Sequence, residues 1–193
     1  MIQESNLNMA YATVKQKLGE YHQQGLEIGF DNLLEEIFQR FQISEKSGSN
    51  YKTLYQLVQL IAANANVTKE YHLVAPFVTQ WYSRIQKRDE EKNRYVFFHI
   101  KLLYFIANVF FRDKKFELSN QYLSKIEELL VSYKKYKKVF ETKIAVLKSL
   151  NTNYLGKNKE AEQLIGQVIT EKPDLRNKDV LDAMIVGSMV YFH

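Results

Sequence analysis

Cysteine is absent from the 193 residues of this chain, which excludes disulfides, thiolate metal sites and thiol catalysis. Glycine and proline are scarce, at 7 and 2 residues. Because a β-sandwich or β-barrel needs turn residues between many short strands, this scarcity disfavours both architectures. The N-terminal segment MIQESNLNMAYATVKQ lacks the basic and apolar stretches of a secretory signal, so we expect a cytoplasmic protein.

A strong excess of one charge and a long apolar run are also missing. The chain has 27 basic and 22 acidic residues, interspersed, for a formal charge of +5. Its most apolar run, YVFFHIKLLYFIANVFF at 95–111, is shorter than the ~20 residues of a spanning helix and contains Lys101. We therefore expect this run to form a helix buried between other helices, and we expect no membrane partner.

Helical periodicity is present along most of the chain. Leu54, Leu57, Val58 and Ile61, for example, follow the i, i+3, i+4, i+7 pattern of one helix face. The sequence predicts an all-α protein of about nine helices in a single domain. Within it we expect an N-terminal hairpin at 1–43, an irregular hairpin at 50–89 and further hairpins at 90–193, with the polar segment SEKSGSN at 44–50 as a linker.

Several residues predict where helices begin and end. Asp31 is placed to cap the second helix and Thr68 to cap the fourth. Pro76 predicts a kink or a late start in the fourth helix, and Pro173 closes the eighth.

The segment 103–126 has bulky, small and aromatic residues at the spacing of a helix hairpin. Two antiparallel helices approach closely only where a small residue faces a large one, so Ala107 and Ser119 are predicted to be buried at this contact. The matching positions are Leu103, Ile106, Ala107, Phe110, Phe116, Ser119, Leu123 and Ile126. In the order of these residue types the segment resembles a tetratricopeptide repeat (TPR).

A second, weaker match covers 153–173, with Gly156 in the turn and Ala161 at the small position of the second helix. Its first helix fits less well, because Lys148 or Ser149 stands where a small residue flanked by bulky ones is expected. From Ser119 to Ala161 is 42 residues, whereas the TPR period is about 34, and the additional residues fall in LVSYKKYKKVF. The segment VGSMVY at 186–191 resembles the opening of a third repeat.

The resemblance implies a right-handed α-solenoid that acts as a scaffold for a protein or peptide partner. Its concave face is expected to bind that partner through first-helix residues, which are Lys101, Tyr104, Asn108, Phe111 and Arg112, then Lys143, Val146, Leu150 and Asn153. Some TPR proteins clamp a C-terminal carboxylate with a lysine and asparagines. Here Tyr104 and Leu147 stand where the lysine and a second asparagine would be, so we do not expect that clamp.

No motif predicts an enzyme, a cofactor or a metal site. The triplet EYH occurs twice, but its Glu and His lie about 200° apart around a helix and would point to opposite faces. His99 has no second ligand at metal-binding spacing and is interpreted as a satisfied or half-exposed histidine in the most apolar helix. The sequence also lacks the glycine loops and nucleophile motifs that hydrolases and nucleotide-binding proteins carry.

One basic and aromatic cluster, SYKKYKKVF, leaves an alternative open. Its lysines are Lys134, Lys135, Lys137 and Lys138. We interpret the cluster as a solvated linker between hairpins. Because lysines can neutralise phosphates and tyrosines can stack on bases, a nucleic-acid partner is the alternative. The apolar C-terminal helix predicts self-association or packing back onto the chain, and it is also compatible with a helical part of a longer protein.

Overall fold

The computed structural model describes residues 2–26, 28–40, 51–86, 94–171 and 178–191. Within these residues the chain forms nine α-helices, one short 3-10 helix and no strand, which confirms the all-α prediction. The helices are α1 Ile2–Gln23, α2 Phe30–Arg40, α3 Tyr51–Thr68, α4 Tyr71–Gln86, α5 Val96–Arg112, α6 Phe116–Ser132, α7 Lys137–Tyr154, α8 Asn158–Glu171 and α9 Lys178–Tyr191. The 3-10 helix Lys134–Tyr136 lies between α6 and α7.

The chain divides into two compact units, Met1–Leu102 and Leu103–His193, so the boundary falls inside α5. In the first unit α3 packs against α1, α2 and α4. The face of α3 predicted from its periodicity is buried, with Leu54, Leu57, Val58 and Ile61 all in the core. The proposed partition into hairpins at 1–43, 50–89 and 90–193 remains a prediction.

Two helix starts in the first unit differ from the sequence prediction. Phe30 begins α2, and its backbone amide donates to Oε2 of Glu70 at 3.0 Å, so the predicted cap Asp31 lies inside the first turn. Thr68 is the last residue of α3, and its Oγ1 accepts the backbone amide of Glu70 at 3.4 Å, just before α4 begins. Because α4 begins at Tyr71 and continues through Pro76, the late helix start predicted from Pro76 is wrong, and the kink stays a prediction. Segments 44–50 and Pro173 lie outside the described residues.

In the second unit α7 packs against α6, α8 and α9, and α8 packs against α9. One apolar cluster joins the last helices; its members are Ala161, Ile165, Val168, Ala183, Val186 and Val190. The backbone of Gly187 approaches α8 so closely that an added Cβ would lie 2.9 Å from Cδ1 of Ile169. The apolar side of α9 therefore packs back onto its own chain, one of the two outcomes expected for it.

The apolar run at 95–111 forms α5, a helix of 17 residues. No helix in the described part of the chain combines the length and apolarity that crossing a bilayer requires.

Candidate functional site

Small residues bring the helices of each hairpin in the second unit together. In the first hairpin, α5 and α6, Oγ of Ser119 donates to the carbonyl oxygen of Ala107 at 2.8 Å. In the second, α7 and α8, Oγ of Ser149 donates to the carbonyl oxygen of Ala161 at 2.9 Å. All four residues are fully buried, which confirms the prediction for Ala107, Ser119 and Ala161. Of the two candidates for the small position in the first helix of the second hairpin, Lys148 and Ser149, Ser149 is the one at the contact.

The two hairpins also turn in the same way. Lys114 and Gly156 have positive φ angles of 59° and 78°. One residue later, the amide of Lys115 donates to the carbonyl of Phe110 at 2.9 Å, and that of Lys157 to Thr152 at 3.1 Å. These bonds close each helix end in the left-handed manner that glycine prefers. From Lys114 to Gly156 and from Ser119 to Ala161 is 42 residues in each case, so the local geometry repeats with that period.

Asn151 connects the two hairpins. Its Nδ2 donates to Oγ of Ser119 and to Oδ1 of Asn120, both at 2.9 Å. The side chain is fully buried on α7, and Ser119 is the same residue that holds α6 against α5. One buried polar network therefore joins α5, α6 and α7.

We call the residues predicted on α5 and α7 the groove face; in the second unit they are Tyr104, Asn108, Phe111, Lys143, Val146, Leu150 and Asn153. All of them are half-buried. The hydroxyl of Tyr104 donates to the carbonyl oxygen of Lys143 at 3.5 Å, so the two halves of the groove face adjoin. Asn108 Nδ2 donates to the carbonyl oxygen of Tyr104 at 2.8 Å, which holds the amide against its own helix.

The remaining groove-face side chains are partly engaged. The ring of Phe111 lies 5.9 Å from that of Phe116 and 5.8 Å from that of Tyr154. Val146 and Leu150 pack against the apolar cluster of α8 and α9. Oδ1 of Asn153 is buried with no hydrogen-bond donor among the described residues.

The other two residues predicted for the groove are Lys101 and Arg112. Lys101 belongs to the first unit, where its ammonium lies 4.7 Å from the ring of Phe97 and 5.3 Å from that of Tyr55. These cation–π contacts hold the Lys101 ammonium against aromatic rings of the first unit. Arg112 is exposed at the end of α5.

The basic cluster is divided between two elements. Lys134 and Lys135 lie in the 3-10 helix, while Lys137 and Lys138 begin α7, and all four side chains are exposed. Nζ of Lys135 lies 4.9 Å from the ring of Tyr136. No side chain caps α7, and its first turn has no acidic residue, so the lysines add to the positive end of the helix dipole.

A cavity of about 650 Å³ lies between α6, α7 and α8. We call it the α6–α8 cavity. Its apolar lining comes from Leu130, Val131, Ile144, Ala145, Leu164 and Val168. Helical periodicity gives no signal that the three helices leave space between them, so the sequence did not predict this cavity. Its lining also includes Lys134, Lys137 and Lys148.

His99 is buried in the first unit beside two tyrosines. Its ring stacks on Tyr51 with 4.0 Å between centroids, and its Nε2 and the hydroxyl of Tyr82 form a hydrogen bond of 2.9 Å. Burial disfavours the charged imidazolium and lowers the pKa of His99 to about 4. The histidine is therefore a satisfied core residue, one of the two interpretations that the sequence allowed.

Comparisons of this chain with protein-family models, with curated proteins and with solved structures found no match. The described residues also contain no group of three or more His, Asp or Glu side chains placed to hold a metal ion.

Proposed function

We propose that this protein is a TPR-like interaction scaffold that binds an extended peptide across the groove face. The observation that carries the proposal is the 42-residue repeat of hairpin geometry, in which the first helices of the two hairpins adjoin at Tyr104 and Lys143. In helical-repeat proteins, adjacent repeats create extended surfaces that bind partners.

The longer period is compatible with this proposal. A TPR has about 34 residues. Here α6 continues to Ser132, and the 3-10 helix separates it from α7. The additional residues therefore lie between hairpins, while the hairpin contacts and turns keep the same spacing. Insertions at this position change the connection between repeats and leave each hairpin intact.

The chemistry of the groove face suits a peptide with apolar and acidic side chains. Lys143 places an ammonium on this face. Tyr104 and Phe111 provide rigid aromatic surface, which costs little conformational entropy on binding. We expect a ligand that presents apolar side chains, with a carboxylate near Lys143.

Peptide display against the purified protein tests this function. Random linear peptides are selected on the wild type and then measured against Tyr104→Ala combined with Asn108→Ala. We expect micromolar binding that the double variant abolishes with little change in its melting temperature. Because Tyr104 is half-buried, Lys143→Glu provides a second test that leaves the ring in place, and Lys135→Ala with Lys138→Ala is the control outside the groove face.

Failure to select any peptide would contradict the proposal, as would a selected peptide that both groove variants bind like the wild type. A large fall in the stability of the Tyr104 and Asn108 variant would place those residues in the core, and the Lys143→Glu result would then decide. The nucleic-acid alternative remains a prediction. Lys134 and Lys137, two of the four clustered lysines, line the α6–α8 cavity, and no contact among the described residues favours a nucleic-acid partner.

A further inference from the structure

The α6–α8 cavity has the size and lining of a small-molecule site. Pockets for such ligands measure about 300–1,000 Å³ and are mainly apolar with a few placed polar groups. At about 650 Å³ this cavity falls within that range. Leu130, Ile144 and Val168 are buried along it, whereas Val131 is 72% exposed at its edge. The cavity therefore combines an apolar floor with an opening to solvent.

Charged side chains occupy its two ends. Because α6 and α7 run antiparallel, Glu127 meets Lys148 at one end, where Nζ of Lys148 donates to both carboxylate oxygens at 3.0 and 2.9 Å. At the other end, next to the 3-10 helix, are Lys134 and Lys137. Neither of these two lysines forms an ion pair with a carboxylate in the described part of the chain. One end is thus neutralised and the other is cationic.

The cationic end favours a negative charge. Lys134 and Lys137 lie at the positive end of the α7 dipole, which attracts an anion. The two lysines therefore favour an anionic head group at this end of the cavity.

The distance between the two ends suits an elongated ligand. The lining residues of α7 run from Lys137 to Lys148, which is about 16 Å along a helix at 1.5 Å per residue. Between them the lining is mainly apolar, with Ile144 and Ala145 on α7 facing Leu164 on α8.

We propose that the α6–α8 cavity binds a single-chain amphiphile with an anionic head, as in a medium-chain fatty carboxylate. The alkyl chain lies on Leu130, Ile144, Leu164 and Val168, and the carboxylate lies between the ammonium groups of Lys134 and Lys137. This site is separate from the groove face, since the two share no residue.

Titration calorimetry with decanoate, kept below its micelle-forming concentration, tests the proposal on the full chain. Decyltrimethylammonium, with the same alkyl chain and the opposite charge, is the ligand control. We expect saturable one-to-one binding of decanoate and at least fivefold weaker binding of the cation, because two lysines at about 0.5 kcal/mol each correspond to about fivefold.

Two pairs of lysines provide a matched comparison. Lys134→Ala with Lys137→Ala should weaken decanoate binding about fivefold. Lys135→Ala with Lys138→Ala removes the same charge from the same segment but from outside the cavity lining, and should change binding less than twofold. Ala145→Phe should abolish binding by filling the cavity. If that variant fails to fold, the lysine pairs, which are exposed, still decide.

The proposal is overturned if decanoate does not bind, if the cation binds equally well, or if the two lysine pairs have the same effect. An acidic peptide that binds in this cavity while decanoate does not would also overturn it, because the site would then belong to a protein partner.

Discussion

Ala161→Leu tests the helix contact on which the second hairpin depends. Ala161 is fully buried, and its carbonyl oxygen accepts the hydroxyl of Ser149 at 2.9 Å. The larger side chain adds three carbons between α7 and α8. Overpacking of this kind costs about 1–3 kcal/mol, and loss of the Ser149 hydrogen bond adds about 1 kcal/mol. We therefore expect the free energy of unfolding to fall by about 2–4 kcal/mol.

Urea denaturation followed by far-ultraviolet circular dichroism measures this loss. Because the chain has two units, amide hydrogen exchange in α7 and α8 is needed to assign the loss to this hairpin. Ala63→Leu is the matched control: Ala63 is exposed on α3, so the same added carbons enter solvent and should cost less than about 0.5 kcal/mol. If Ala161→Leu unfolds like the wild type, or if the two variants lose equal stability, the close contact is wrong.

Three further predictions concern the buried network, the core histidine and the C-terminal helix. Asn151→Ala removes two buried hydrogen bonds and should lower the free energy of unfolding in urea by about 2–3 kcal/mol. The loss should be clearly larger than that of Asn153→Ala, whose Oδ1 has no hydrogen-bond donor among the described residues. Equal losses would contradict the network of Asn151, Ser119 and Asn120. Because the pKa of His99 is about 4 when folded and about 6.5 when unfolded, the unfolded state binds more protons between these values. The free energy of unfolding should therefore fall by up to about 3 kcal/mol from pH 6.5 to 4. The His99→Gln variant should lose less stability over this range than His72→Gln, the exposed control. Parallel curves of stability against pH for the two variants would refute the lowered pKa of His99. On α9, Met184, Ile185 and Met189 are 40%, 60% and 46% exposed, so we expect concentration-dependent self-association in sedimentation that Met189→Glu reduces; a wild-type monomer throughout would contradict it.

The sequence predicted the contacts that depend on residue size and period. Ala107, Ser119 and Ala161 were identified because a small residue must face a large one across a hairpin. The sequence left Lys148 and Ser149 as two candidates for the small position in the second hairpin, and the two lie about 100° apart on a helix. Equal spacing would have resolved the choice, since Ala107 to Ser119 and Ser149 to Ala161 are both 12 residues.

Contacts between distant segments were not predictable in this way. Glu70 caps α2 from 40 residues away, so the local cap Asp31 was preferred in error. The α6–α8 cavity depends on how α8 packs against α6 and α7, which helical periodicity does not specify. The groove face is intermediate: its residues were placed on common helix faces from the sequence, but the contact between Tyr104 and Lys143 needs the packing of two hairpins.

The most direct test of the proposed function is the position of a selected peptide on the protein. A photoreactive benzophenone side chain is placed at Tyr104, at Val146 or at Val131, which is on the edge of the α6–α8 cavity. After irradiation with the peptide bound, we expect cross-links from positions 104 and 146 and none from position 131. Cross-linking from position 131 alone, or from none of the three while the peptide remains bound, would contradict peptide binding at the groove face.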